Sequence, residues 1–173
     1  MIVTGLDLSL VGTGLVTLKN GELVNQILIK SKPSGKKPIN ELRRILDIKD
    51  EISYNIENSD LIVIEGMAYA VRNTTSLVQL AALNYLTREL IYDINKEFII
   101  VAPTSLKKFI TGKGNSGKDI MILETYKRYG VSFDDNNICD AFSLAKVGEA
   151  LYNKKIKLTK PQAEVINLLK EQL

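Results

Sequence analysis

Three carboxylates in this chain stand where hydrocarbon would be expected. Asp7 lies inside Gly5-Leu-Asp-Leu-Ser9, Glu65 closes the apolar run Leu61-Ile-Val-Ile64, and Asp140 opens the amphipathic stretch Asp140-Ala-Phe-Ser-Leu-Ala145. A charged group in an apolar strand costs desolvation free energy unless it is paired or binds a cation. Phosphodiester hydrolysis would use such a set, because charge develops on the attacking and leaving oxygens and two divalent cations about 4 Å apart stabilise both. Magnesium prefers oxygen ligands and keeps several waters, so a few carboxylates suffice to hold it, with manganese as a substitute. The structural alternative is that Asp7 accepts backbone hydrogen bonds at a turn and that Asp140 is a helix cap.

What the chain lacks narrows the chemistry further. It contains no histidine, which removes catalytic triads, His-based zinc sites and imidazole acid–base pairs. Its one cysteine, Cys139, has no internal disulfide partner, which suits a reducing cytoplasm. The net charge of +3 says little, but its distribution says more. Residues 101–128 carry Lys107, Lys108, Lys113, Lys118, Lys127 and Arg128 against Asp119 and Glu124, a patch able to attract phosphate or simply a solvated face. The loop Gly112-Lys-Gly-Asn-Ser-Gly117, with Asn115 at its centre, is rich enough in glycine to cradle a phosphate. It is followed by Lys118-Asp119 rather than Lys-Ser/Thr, so it is not a Walker A motif.

These residues need a scaffold, and 173 residues with 45% hydrophobic and 25% charged content suit one soluble domain. No apolar run approaches the roughly 20 residues of a membrane span, and the N-terminus enters a strand pattern with no secretory leader. Strands are expected at Ile2–Leu8, Thr13–Leu18 and Glu22–Lys30, the last two joined by the hairpin pair Asn20-Gly21. After the loop Ser31–Pro38, the apolar stripe Leu42, Ile45, Leu46, Ile48, Ile52, Ile56 predicts a helix over Ile39–Ile56. Leu61–Ile64 reads as a strand buried on both faces and Phe98–Val101 as a fifth. Further helices are expected at Thr74–Asn95, Pro103–Ile110, Lys118–Tyr129 and Asn137–Leu151, and one after a capping box at Thr159–Gln162. The helix at 74–95 is apolar on more sides than one core-facing stripe needs, as expected of a helix either deeply buried or partly covered by a partner subunit. Together these give an α/β fold whose five-stranded mixed sheet, three antiparallel strands then two parallel, is flanked by helices. Residues 1–155 are expected to form one domain, with 156–173 a C-terminal helix packed on or extending it.

In order and spacing, four segments resemble the RuvC family of Holliday-junction resolvases over about residues 1–150. They are Gly5-Leu-Asp7-Leu-Ser-Leu-Val-Gly-Thr-Gly14, Ile62-Val-Ile-Glu65, the run from Pro103 through Lys107 to Lys118, and Asn137-Ile-Cys-Asp140-Ala-Phe-Ser-Leu-Ala145. The resemblance implies an RNase H-like fold, with Asp7, Glu65 and Asp140 as catalytic metal ligands and Lys107 and Lys118 as phosphate-contacting catalytic groups. It implies a base contact from Tyr69, whose ring could equally pack its own loop, and a homodimer that nicks symmetry-related strands of a four-way junction; Arg72, Lys108, Lys113 and Asn115 are candidate DNA contacts or solvated side chains, and helix 74–95 is the candidate interface. Many members carry a further aspartate where this chain has Asn137, a weaker ligand, and Asp134 or Asp135 stands near enough in sequence to compensate. Rival readings are a nuclease of the same fold acting on flaps, forks or RNA, like YqgF, and a junction-binding module with impaired catalysis. An actin-like sugar kinase would need a second such domain for its ATP cleft.

Overall fold

A computed structural model describes residues 1–67 and 74–172. The elements are β1 (Ile2–Asp7), β2 (Gly12–Lys19), β3 (Glu22–Lys30), α1 (Pro38–Ile56), β4 (Leu61–Glu65), α2 (Thr74–Asp93), β5 (Glu97–Val101), α3 (Pro103–Thr111), α4 (Lys118–Tyr129), α5 (Asn136–Tyr152) and α6 (Lys160–Leu169), then a 3-10 turn Lys170–Gln172. They form a single mixed sheet in the order β3-β2-β1-β4-β5. The first three strands form an antiparallel meander, and β4 and β5 run parallel to β1. This is the expected fold class, with boundaries moved by a residue or two at most ends. The β2–β3 turn has Asn20 at φ 53° and Gly21 at φ 88°, the doubly left-handed geometry that an Asn-Gly pair favours.

Alternation along the strands divides the core in two. Val3, Val16, Leu18, Leu61, Val63, Ile99 and Val101 face α3, α4, α5 and α6, while Leu6, Leu15, Ile62 and Ile64 face α1 and α2. Helix α1 buries Ile45, Ile48, Ile52 and Ile56, a narrower stripe than its sequence offers, and leaves Leu42 about half exposed. Helix α6 sends Val165, Ile166 and Leu169 into the same core as α5, so the C-terminal helix packs on the main body. No helix among the described residues is long and apolar enough to cross a membrane.

The closest packing is that of α5 against β1 and β2. A Cβ on Gly5 would stand 2.0 Å from the Ala141 carbonyl oxygen, and one on Gly14 2.1 Å from that of Asn137. Glycine is needed at both positions because helix backbone lies directly on strand backbone there. That contact lays the amino-terminal part of α5, with Asp140, over the carboxyl end of β1.

Candidate active site

Register puts the first two carboxylates together. β1 and β4 pair in parallel through Val3–Leu61, Gly5–Val63 and Leu6–Ile64. One step further along, at the ends of both strands, come Asp7 and Glu65. Both follow the alternation of Gly5 and Val63, so both belong to the face covered by α5. The open carboxyl ends of parallel strands are the usual place for a site in sheets of this kind.

Their environment is costly for charge. Asp7 is only 9% exposed. Burial first, then the negative charge of Asp140, raises its carboxyl from 3.8 to about 7, against the opposing pull of Lys118. Burial, then the charges of Asp7 and Asp140, raises Glu65 from 4.5 to about 8, while Lys107 works the other way. Asp7 and Glu65 are hydrogen-bonded side chain to side chain, with the bond favouring ionised Asp7 and protonated Glu65. Burial and mutual repulsion thus hold both carboxyls above the ordinary carboxylate range. Asp140, raised to about 6 chiefly by burial, is eased by both Lys118 and Lys107. Among the described residues, no three acidic, histidine or cysteine side chains converge as a ready ion-binding cluster. Asp7 and Glu65 are the close pair, and Asp140 is a third charge felt by both.

The two lysines enter from different elements. Lys107 projects from α3 and acts on Glu65 and Asp140, whereas Lys118, first residue of α4, acts on Asp7 and Asp140. The acidic centre is thus within electrostatic reach of two ammonium groups carried by successive helices.

Asn137, expected as a possible ligand, lies in the first turn of α5 against the start of β2. Its backbone N–H donates to Asp135 Oδ1 at 2.8 Å, and its Nδ2 lies 3.2 Å from where a Gly12 Cβ would be. Asp135 caps α5, and its charge raises the Asp7 carboxyl. A fourth acidic group near Asp7 therefore comes from position 135. The Asp–X–Asn spacing of an N-cap was its available sequence signal.

The remaining expected DNA contacts divide. Lys113 and Asn115 are exposed on the loop between α3 and α4. Lys108 is not a free cation, since its ammonium lies 2.6 Å from Glu164 and ties α3 to α6. Tyr69 and Arg72 fall outside the described residues. Beside the site, a groove of about 630 Å³ runs between α2, the end of β4 and the start of α3, lined by Gly66, Met67, Leu77, Tyr85, Arg88 and Pro103 among others. The Arg88 guanidinium stacks 5.0 Å over the Tyr85 ring and donates to Asn84 Oδ1 at 3.0 Å, while its Nε is buried with no acceptor among the described residues. Sequence reading passed over Asn84 and Arg88, because a polar residue on an apolar helix gives no sign of which side it faces.

No protein-family model matches the chain, and no curated protein matches it in sequence. Among solved structures, RuvC of Thermus thermophilus aligns with 84% of this chain and 91% of its own, at 15% identity and a TM-score of 0.70. The same protein in complex with a Holliday junction substrate aligns over 84% and 90%, at 16% identity and a TM-score of 0.71. The chain therefore has the RuvC, RNase H-like fold.

Proposed function

We propose that this chain is a divalent-metal-dependent endonuclease that binds branched DNA, with the four-way junction as its substrate, and nicks phosphodiester bonds. One observation carries the reading. Asp7 and Glu65 sit side by side at the ends of two parallel strands, buried, on the face covered by the helix that bears Asp140, and within electrostatic reach of Lys107 and Lys118. Buried carboxylates without a neutralising partner suit a cation as the missing counter-charge. The donor set is all hard oxygen, which fits magnesium or manganese and not a thiol- or imidazole-seeking metal. When bound, such ions would supply Lewis acidity and an activated water at the scissile phosphate.

The residues of the chain do the rest. Asp7, Glu65 and Asp140 would hold the ions, with Asp135 adding negative charge next to Asp7. The ammonium groups of Lys107 and Lys118 would draw the phosphate over the carboxylates and stabilise the charge that develops on it. Lys113 and Asn115 would contact the flanking backbone, with Tyr69 and Arg72 of the segment after Glu65 against the bases and phosphates at the branch point.

A homodimer completes the reading. Val78, Tyr85 and Tyr92 are all well exposed on α2 and fall seven residues apart, along one stripe of the helix. Two copies joined along this stripe would present two equivalent sites to the symmetry-related strands of a junction.

The test is cleavage, with magnesium, of a four-way junction compared with flap, fork, linear duplex and RNA–DNA hybrid. Preferential nicking of the junction at symmetric positions is expected. Preference for flaps or hybrids would move the chain to a different nuclease of this fold, and tight junction binding without cutting would make it a binding module.

A further inference from the structure

The loop that joins the two lysine-bearing helices is pinned at one atom. Thr111 is the last residue of α3, and Gly112, at φ 83°, turns the chain out of it by donating its N–H to the Lys108 carbonyl at 2.9 Å. The Thr111 hydroxyl faces the carbonyl of Lys107 at 2.8 Å and that of Lys113 at 2.9 Å, and it accepts the Lys113 N–H at 3.1 Å. The Ser116 hydroxyl stands 2.7 Å from it and also donates to the Lys113 carbonyl at 3.1 Å. A threonine near a helix end commonly bonds the carbonyl four residues back. The further contacts to Lys113 and Ser116 are not part of that habit; they fold the loop back over the helix end. Gly114 takes part, since a Cβ there would lie 3.0 Å from the Thr104 carbonyl oxygen.

The pin has lysines on both sides. Its helical partner is the backbone of Lys107, and its loop partner Ser116 lies two residues before Lys118. Those two ammonium groups are the ones whose charge reaches the buried carboxylates. Lys118 itself is exposed and heads α4 at Gly117, whose backbone supplies no side-chain cap. Among the described residues its ammonium has no hydrogen-bond or ion-pair partner, so its approach to Asp7 and Asp140 depends on the path of the loop.

We infer that Thr111 is a positioning residue: through its hydroxyl contacts with Lys113 and Ser116 it sets the distance of Lys118 from the acidic centre relative to Lys107. The inference rests on the nuclease reading above for its catalytic consequence, but the pin itself can be measured without cleavage. Thr111→Val removes the hydroxyl at nearly constant shape, and Thr111→Ser restores it.

The first readout is trypsin cleavage after Lys113, followed by mass spectrometry on the folded full-length protein. Thr111→Val should be cut at least several times faster than the parent, and Thr111→Ser at close to the parent rate. Equal rates in the parent and the valine variant, at equal melting temperatures, would overturn the pin. The second readout is single-turnover junction cleavage. Thr111→Val should lose about tenfold in rate with junction affinity changed less than about twofold, and Thr111→Ser should recover most of the rate. In a Lys118→Ala background, the same valine substitution should cost less than about twofold. A full tenfold additional loss there, or failure of serine to rescue, would show that Thr111 does not act through Lys118. If the parent protein cuts no branched substrate, the nuclease reading falls, and the trypsin comparison alone decides whether the loop is pinned.

Discussion

Replacing Asp7 by asparagine should make the metal-free protein more stable, and increasingly so as pH rises. The Asp7 carboxyl titrates near 7 in the folded protein and at 3.8 when free in an unfolded chain. Its folded value is raised, so the stability associated with the bound proton is fully present below the unfolded value and gone once pH has passed the folded one. Each tenfold difference in proton affinity between the two states corresponds to about 1.4 kcal/mol, so the penalty has a ceiling of about 4 kcal/mol at pH 8 and about 1 kcal/mol at pH 4.5. Part of the ceiling is repulsion shared with Asp140 and Glu65, so about half, ~2 kcal/mol, is the expected gain at pH 8. For a chain of this length that corresponds to a rise of roughly 4–8 °C in melting temperature at pH 8 and about 2 °C or less at pH 4.5. The assay is calorimetry in chelator across that pH range. An asparagine variant no more stable than the parent at pH 8, or a gain independent of pH, would refute the claim that Asp7 is buried against uncompensated negative charge.

The other expectations follow from the same geometry. Magnesium should raise the melting temperature of the parent more at pH 8 than at pH 5, where protons compete for Asp7, Glu65 and Asp140, and should do little for Asp7→Asn; equal shifts in both proteins would place any bound ion elsewhere. Gly5→Ala should cost about 1–3 kcal/mol by denaturant titration and also suppress cleavage, because its methyl group meets the Ala141 carbonyl and lifts Asp140 from β1. Lys118→Ala should reduce the cleavage rate about tenfold to a hundredfold while leaving junction affinity within a few-fold, as read by single-turnover kinetics beside equilibrium binding. Tyr85→Asp on the exposed stripe of α2 should convert the dimer to a monomer in sedimentation; a parent protein that sediments as a monomer would remove α2 as an interface.

Much of this arrangement is legible in the chain because it depends on local pattern. The Asn20-Gly21 turn, the strand Leu61–Glu65 and the basic run from Lys107 to Lys118 each announce themselves by composition over a few residues. The five-stranded mixed sheet follows from their order. The pairing of Asp7 with Glu65 is different in kind. It depends on β4 lying beside β1 in a particular register, and a shift of one residue would send Glu65 to the opposite face. The surroundings of Asn137 are likewise a matter of packing: its backbone carbonyl lies against Gly14 and its amide nitrogen beside Gly12, which no local pattern announces. The pairing of Lys108 with Glu164, 56 positions later in the sequence, is visible only once α6 packs on α3. The Thr111 pin was invisible because a threonine before a glycine-rich loop is ordinary, and only the fold shows the loop returning to it.

The most direct test of the central claim compares the parent and Asp7→Asn on a four-way junction with magnesium, measuring binding and strand cleavage in the same samples. The parent should bind and nick, while the variant should bind with similar affinity and leave the strands intact. Equal cutting by both proteins would contradict the assignment of the reaction to the Asp7–Glu65 pair.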